Sequence, residues 1–200
     1  MNKKVLLGSF SLVAGSLFAA ENAVSSFNPY VAVKGGYSIL TKKDNVKYKN
    51  GFNGAVEFGV SYDAWRLGLE VSYRQNKIKE STNAGFPTTT FNKINALAGM
   101  INVYYDYALT EECSLYVGAG LGMAKFNFVR LADKIEDGKA VFAWQVLAGV
   151  AYDINENWTV EAGYRLFGTS KVKALNAANA AVKVKTPLQN SLELGLRYNF

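Results

Sequence analysis

The side chains best suited to form ion pairs or to act as acids and bases are charged residues that recur at alternating positions within apolar segments. Glu70 and Arg74 lie four residues apart, and Glu161 and Arg165 repeat that spacing. Every second side chain of an extended chain points to the same face, so each of these pairs shares a face. If that face is buried, the groups must pair, because an isolated buried charge costs several kcal/mol or more. We therefore predict a network of ion pairs formed by Lys34, Glu57, Arg66, Glu70, Arg74, Glu161, Arg165, Glu193 and Arg197.

The sequence offers few groups for catalysis or metal binding. It contains no histidine and one cysteine, Cys113, so no Ser-His or Cys-His nucleophile pair and no His/Cys metal cluster can be drawn. Gly118, Gly120 and Gly122 alternate as in a phosphate-binding loop, but they lie within a predicted strand and do not precede a helix. We expect no enzymatic activity, cofactor, metal or nucleic-acid partner.

Eight segments with an apolar/polar period of two must position the charged residues. They cover residues 30–39, 52–62, 65–73, 94–107, 115–126, 142–153, 158–167 and 191–200. Short links near 63–64, 108–114 and 153–157 alternate with long ones near 40–51, 75–92, 127–140 and 168–188. The fourth segment fits the pattern least well, with Leu97, Ile101, Val103, Tyr105 and Tyr107 opposite Asn102, Tyr104 and Asp106. This pattern predicts an all-β fold, an eight-stranded antiparallel up-and-down transmembrane β-barrel with both termini on one side.

Alternation alone does not decide which face meets lipid, since a soluble barrel would bury the apolar face inside. The aromatic residues favour a membrane barrel, because they fall on apolar faces beside the short links or the C-terminus, as an interfacial girdle requires. They are Tyr62, Trp65, Tyr105, Tyr107, Tyr152, Trp158, Tyr198 and Phe200. The charged face then lines a lumen too narrow for anything but side chains. We expect Gly118, Gly120 and Gly122 to make room there for long Arg and Tyr side chains.

The N-terminus is typical of a secretory signal peptide over residues 1–20. Lys3 and Lys4 precede an apolar run over 5–18, and the small residues Ala19 and Ala20 follow. The alternative is a retained anchor, for which the run is short. The predicted organisation is a signal peptide over 1–20, a short segment over 21–27 and the barrel over 28–200.

Lysines crowd the first and fourth long links. They are Lys42, Lys43, Lys47 and Lys49 in the first, and Lys171, Lys173, Lys183 and Lys185 in the fourth. Clustered lysines attract anions in a salt-dependent way, so these links suit either the phosphates of lipopolysaccharide or acidic host glycans and proteins. The weakly apolar alternation around Val172 and Val182–Val184 also predicts a hairpin beyond the membrane in the fourth link, capped by residues 174–181.

Several strand segments resemble one group of membrane proteins. They are Asn102-Val103-Tyr104-Tyr105-Asp106, Tyr116 to Gly122, Ala162-Gly163-Tyr164-Arg165, and Ser191 to Phe200 with its terminal aromatic. From about Asn28 to Phe200 the chain is similar to the small eight-stranded outer-membrane barrels related to the OmpA transmembrane domain, OmpX and the opacity-type surface antigens. The resemblance implies an outer-membrane location, with Leu196, Tyr198 and Phe200 as the signal read by the assembly machinery. Similar-sized barrel enzymes use a catalytic histidine, which this chain lacks.

Three functions remain open from the sequence. We favour a monomeric, non-enzymatic surface barrel with a structural or adhesin-like role through its basic extracellular loops, embedded among outer-membrane lipids and lipopolysaccharide. The second is a narrow porin or small-solute channel, which requires the charged lumen to open. The third is a soluble periplasmic ligand-binding barrel.

Overall fold

A computed structural model of the protein describes residues 27–40, 46–81, 93–129, 134–135, 140–170, 172–175, 181–184 and 188–200. Its strands are β1 Asn28–Leu40, β2 Val46–Tyr62, β3 Trp65–Ser81, β4 Lys93–Ala108, β5 Cys113–Val129, β6 Lys134–Ile135, β7 Val141–Asp153, β8 Trp158–Thr169, β9 Val172–Leu175, β10 Ala181–Val184 and β11 Gln189–Asn199. Within these residues, no helix is long and apolar enough to span a bilayer.

Eight long strands close into one barrel, in the order β4-β3-β2-β1-β11-β8-β7-β5, and pairing of β4 with β5 completes the ring. Every neighbouring pair is antiparallel. The two-residue β6 pairs with the end of β5, and β9 with β10 form a separate two-stranded sheet. The predicted fold class is confirmed. We call the end of the barrel that carries the termini and short turns the turn end, and the opposite end the loop end.

The stagger of the strands sets the width of the lumen. A path of registered partners from Tyr30 of β1 through β2, β3, β4, β5, β7, β8 and β11 returns to β1 at Leu40, ten residues further along. Eight strands with this stagger tilt by about 40° and lie about 8 Å from the axis. Side chains from opposite walls therefore meet in the middle.

The two faces of the wall are the reverse of those in a soluble protein. Leu194 on the outer face is 68% exposed, whereas Arg165 inside is 0% exposed. The alternation holds in all eight long strands, including the fourth predicted segment, whose two faces are confirmed. Apolar side chains that cover the outside of a barrel are stable only against another apolar medium, and this outer face fits the hydrocarbon of a bilayer.

The outer apolar band has the height of a membrane. On β4 it runs from Tyr107 to Leu97, ten residues apart, both exposed. At a rise of about 3.3 Å per residue and a tilt of about 40°, these residues are about 25 Å apart along the barrel axis. Aromatic rings cluster at the turn end as predicted, and the rings of Trp158 and Tyr198 lie 4.9 Å apart. Trp65 and Tyr105 lie 5.1 Å apart.

The predicted strands were too short at the loop end of the barrel. β2 begins at Val46 and β3 continues to Ser81, so residues that we expected in long links belong to strands. The lysine-rich composition was misleading, because strand pairing continues past the apolar band, where water permits polar residues on both faces. Register shifts near Lys49 and Phe52 mark a bulge in this extension. The hairpin in the fourth link is confirmed as β9 and β10, but the predicted cap was too long, because Ala174, Leu175 and Ala181 are paired strand residues. The predicted signal peptide lies outside the described residues.

Candidate functional site in the barrel lumen

The lumen contains two charge clusters, each balanced in sign. The cluster nearer the turn end comprises Lys34, Arg66, Arg197, Glu57, Glu161 and Asp106. The cluster nearer the loop end comprises Arg74, Arg165, Glu70 and Glu193. All nine predicted charged residues are buried inside the barrel, and Asp106 is a tenth, half-buried member.

Glu161 is the centre of the turn-end cluster. Its carboxylate lies 2.9 Å from Arg66 Nη1, 3.0 Å from Arg197 Nη1 and 3.8 Å from Lys34 Nζ. Arg66 is also held by Asp106, whose two oxygens accept from Nε at 2.6 Å and from Nη2 at 2.8 Å. Such bidentate pairs fix the guanidinium plane as well as its charge. Arg197 has Glu161 as its single carboxylate partner among the described residues.

Glu57 joins the two clusters. It is fully buried and accepts hydrogen bonds from Tyr30 Oη at 2.9 Å, Tyr104 Oη at 2.6 Å and Asn102 Nδ2 at 2.8 Å. Lys34 Nζ lies 3.4 Å away. Asn102 Nδ2 also lies 3.2 Å from Glu70 Oε2 in the loop-end cluster. A buried carboxylate that accepts this many hydrogen bonds is held rigidly, so we assign Glu57 a structural role.

Tyrosines enclose Arg66 in the turn-end cluster. Its guanidinium carbon lies 4.6 Å from the ring centre of Tyr104, 5.5 Å from that of Tyr116 and 5.8 Å from that of Tyr30. All three distances fall within cation–π range. At Gly118 a Cβ atom would overlap the Tyr104 ring, so this glycine makes room for a tyrosine as predicted.

The other two glycines of this strand have different neighbours from those expected. The atoms nearest to a Cβ at Gly120 belong to Asn102 and Gln145. At Gly122 they belong to Gly99 and Met100. No described arginine approaches either position this closely, because the arginine side chains inside the barrel extend across the lumen between β3 and β8 instead.

Two opposite strands carry a ladder of charge pairs. Four positions separate β3 from β8 around the ring in either direction, so they face each other across the lumen. Arg66 of β3 pairs with Glu161 of β8, and one step higher Glu70 of β3 pairs with Arg165 of β8. Both pairs join residues 95 apart in sequence. The charges alternate along each strand, so the two strands are complementary.

Arg165 lies between two glutamates. Besides Glu70, it donates from Nη2 to Glu193 Oε2 at 2.8 Å and from Nη1 to Gln145 Oε1 at 2.8 Å. Asn53 Nδ2 donates to the other oxygen of Glu193. These hydrogen bonds connect the loop-end cluster to β2, β7 and β11.

Arg74 departs from the expectation that every lumen charge is paired. Within the described part of the chain, no carboxylate lies within 4.0 Å of its guanidinium. It donates to Ser72 Oγ at 3.0 Å and Gln145 Oε1 at 3.3 Å, and its guanidinium carbon lies 3.8 Å from the ring centre of Phe167. The neutral environment arises because small and apolar residues dominate this level of the lumen. They include Ala96, Ala98, Ala124, Phe126, Ala143 and Phe167.

The sequence reasoning missed several neutral members of the network. Tyr30, Gln145 and Thr159 were not identified as lumen residues, and Asp106 was not recognised as a charge partner of Arg66. Asp106 shares the alternation of Asn102 and Tyr104, and this pattern would have placed it inside. The same rule applies to the other two: Tyr30 shares the parity of Lys34, and Gln145 lies between Trp144 and Val146, so the alternation could have placed both inside.

The predicted polyanion-binding lysines are only partly described. Lys42, Lys43, Lys171 and Lys185 lie outside the described residues. Lys47 and Lys49 belong to β2, Lys173 to β9 and Lys183 to β10. The register sets Lys173 directly opposite Lys183, and Lys49 opposite Lys77, which is itself opposite Lys93. Three neighbouring strands thus carry a row of lysines at the loop end.

The residues of the predicted assembly signal lie on the outer face at the turn end. Leu196 is 43% exposed and Phe200 is 61% exposed. The Tyr198 ring contacts the rings of Trp158 and Phe200, and the Phe200 amide donates to the Pro29 carbonyl at 3.0 Å. The C-terminal strand therefore closes the barrel against β1.

The chemistry of the lumen is electrostatic. Within the described ranges, no group of three or more His, Cys, Asp or Glu residues is arranged to hold a metal ion. The carboxylates that are present meet arginine, lysine, tyrosine or asparagine donors. The arrangement can seal and stiffen a barrel.

Comparisons with known proteins agree with this architecture. The chain is 24% identical over 241 residues to the 31 kDa outer-membrane immunogenic protein of Brucella melitensis, covering 99% of this chain and 100% of that protein. It is 25% identical over 89 residues to the outer membrane protein PagN of Salmonella typhimurium, covering 40% of this chain and 37% of that protein.

Solved structures show the same fold. Neisserial surface protein A superimposes with a TM-score of 0.58 at 19% identity, over 87% of this chain and 97% of that one. The outer membrane protein OprG of Pseudomonas aeruginosa gives 0.51 at 14% identity, over 88% and 97%. The family model for the outer membrane protein beta-barrel domain matches residues 10–200. The chain belongs to this family of outer-membrane β-barrels.

Proposed function

We propose that this protein is a non-enzymatic surface barrel that binds acidic polymers through lysines at its loop end, while its lumen acts as a closed structural plug. The loop end faces the outside of the cell in this proposal, as long loops do in this membrane class. The name of the Brucella relative, an immunogenic protein, is consistent with a surface that other molecules contact.

The observation that carries the proposal is the register of the lysines. Lys173 and Lys183 are direct partners in β9 and β10, and Lys49, Lys77 and Lys93 are partners across three strands. Like charges directly opposite each other destabilise a sheet. A bound polyanion offsets that repulsion, so the arrangement favours an anionic ligand over an empty rim. The net charge of +6 acts in the same direction.

The ladder between β3 and β8 supports the closed lumen. Arg66 with Glu161, Glu70 with Arg165, and Arg74 with Phe167 each join opposite walls. Side chains from neighbouring strands fill the space beside them, such as Lys34, which donates to Tyr104 Oη at 3.1 Å. These contacts favour a lumen filled by side chains. They disfavour the narrow channel, which was the second function compatible with the sequence.

The test measures binding of the refolded barrel to heparin at several salt concentrations. One variant changes Lys42, Lys43, Lys47 and Lys49 to Gln, and a second changes Lys171, Lys173, Lys183 and Lys185 to Gln. The matched control changes Lys125, Arg130, Lys134 and Lys139 to Gln, which removes the same charge from a different part of the sequence. We expect either test variant to lose about tenfold or more in affinity, the control to lose less, and salt to weaken all binding.

Two results would contradict the proposal. Wild-type protein that does not bind heparin would remove the polyanion ligand altogether. Equal losses in the control and the test variants would show that overall charge, and not these segments, controls binding. Repeating the titration with vesicles that contain or lack lipopolysaccharide separates the host-like polymer from the phosphates of the membrane itself.

A further inference from the structure

The charge ladder between β3 and β8 is incomplete at its third step. The first two steps join residues 95 apart: Arg66 with Glu161, and Glu70 with Arg165. The same spacing would pair Arg74 with residue 169, and the alternation of sign calls for an acid there. The sequence has Thr169. The cation of the third step is thus present, but its internal carboxylate is missing.

Arg74 is buried so deeply that the missing carboxylate leaves a costly unpaired charge. It is 1% exposed, and its guanidinium rests on the Phe167 ring with two neutral acceptors, Ser72 and Gln145. Its Nε has no hydrogen-bond partner among the described residues. Glu70 and Glu193 lie at longer range, but both are engaged by Arg165. A buried guanidinium with unused donors is costly unless an anion pairs with it.

Two further donors near Arg74 are also unpartnered. Gln189 of β11 is the register partner of Phe167, on which Arg74 rests, and Ser191 is the partner of Arg165. The Gln189 amide nitrogen and the Ser191 hydroxyl are both buried, and neither has a hydrogen-bond partner within the described part of the chain. Among the described lumen residues at this level, Asn53 Oδ1 is the orphaned acceptor. A cation on β3 with orphaned donors on β11, three strands away around the ring, matches the needs of a small anion.

We propose that the loop end of the lumen binds one small monovalent anion, a halide or a simple carboxylate, between Arg74, Gln189 and Ser191, where it replaces the acid that Thr169 does not supply. The described lumen residues at this level, among them Ser38, Asn76 and Phe126, are neutral. An anion arriving from the loop end therefore meets Arg74 before it meets Glu70 or Glu193. The site is independent of the loop lysines.

The experiment uses bromide as the probe, with refolded full-length protein in micelles at constant ionic strength. Line broadening in 81Br NMR reports binding. Wild-type protein should broaden the signal in a saturable way. Arg74→Met removes the cation but keeps an apolar stem over Phe167, and Thr169→Glu supplies the missing internal acid. Both should weaken bromide binding by about tenfold or more, whereas Lys125→Met, an exposed cation outside the barrel, should leave it unchanged.

The controls separate loss of binding from loss of fold. Heat-modifiable migration on a detergent gel verifies barrel closure for each variant, and Ser191→Ala provides a milder change if Arg74→Met does not fold. Saturable broadening that survives both Thr169→Glu and Ser191→Ala would overturn the proposal. Wild-type protein that shows no saturable broadening would overturn it as well.

Discussion

Replacement of Glu161 by Gln should destabilise the barrel strongly, although the two side chains have nearly the same shape. Glu161 carries the charge that faces Lys34, Arg66 and Arg197. Arg66 keeps its bidentate partner Asp106 in the variant. Arg197 keeps no carboxylate partner among the described groups; it retains the Thr159 hydroxyl, 3.4 Å from its Nη2, and the Tyr30 ring, whose centre lies 5.9 Å from its guanidinium carbon. Removing one partner of a buried pair costs about 3–5 kcal/mol, and we expect Glu161→Gln to fall in that range.

A double-mutant cycle tests the physical reason for this loss. Arg197→Met removes the cation that Glu161→Gln leaves uncompensated, so the double variant should recover part of the lost stability. We expect a coupling energy of about 2–3 kcal/mol. The free energy of unfolding is measured by urea titration in phospholipid vesicles, followed by the fluorescence of Trp65, Trp144 and Trp158.

The matched control is Glu156→Gln, which removes the same charge from an exposed turn and should leave the free energy of unfolding unchanged within error. If Glu161→Gln is as mild as this control, the lumen network does not stabilise the barrel. If the double variant is no more stable than Glu161→Gln alone, the loss does not come from Arg197.

Three further outcomes follow from the same geometry. Gly118→Val should cost about 1–3 kcal/mol because its Cβ meets the Tyr104 ring, whereas Gly35→Val, with nothing within 4 Å of its Cβ, should be tolerated; equal unfolding midpoints would contradict this. Leu194→Arg in the middle of the outer band should cost about 2–4 kcal/mol in vesicle unfolding, and Leu188→Arg near its edge should cost less; a reversed order would place the band elsewhere. Planar bilayers with wild-type protein should carry no steady current, and a stable open level would refute the plug.

The strand pattern was predictable because one physical rule governs all eight long strands. A residue faces either lipid or the lumen, so every second position must be apolar, as in Leu192, Leu194 and Leu196. That rule identified the charged lumen residues, and the strict alternation was sufficient to assign both faces of β4. The narrow radius also follows from strand number, so a side-chain-filled interior could be expected before any contact was known.

The particular partners could not be predicted in the same way. Which acid meets which base depends on the stagger between strands that are far apart in sequence, and the periodicity of a single strand does not contain it. The pairing of Glu161 with Arg66 across the lumen requires the ten-residue stagger. The neutral surroundings of Arg74 depend equally on the position of Phe167 on the opposite wall.

The predicted strand boundaries at the loop end were wrong for a different reason. Beyond the membrane, neither lipid nor a core selects apolar residues, so the period of two fades while backbone pairing continues. Lys47 and Lys49 therefore looked like part of a link, although they belong to β2. The period of two therefore indicates the height of the hydrocarbon layer more accurately than the length of the strands.

In this orientation of the barrel, hydrocarbon contacts the leucine face and the charged face is sealed inside. Carbene labelling from a photoactivatable lipid, mapped by mass spectrometry on unmodified protein in vesicles, tests it without any mutation. We expect labels on Leu69, Leu194 and Leu196 and none on Glu70, Arg165 and Arg197. Labels on the three charged residues, with the leucines spared, would mean that the two faces are reversed and would refute this orientation.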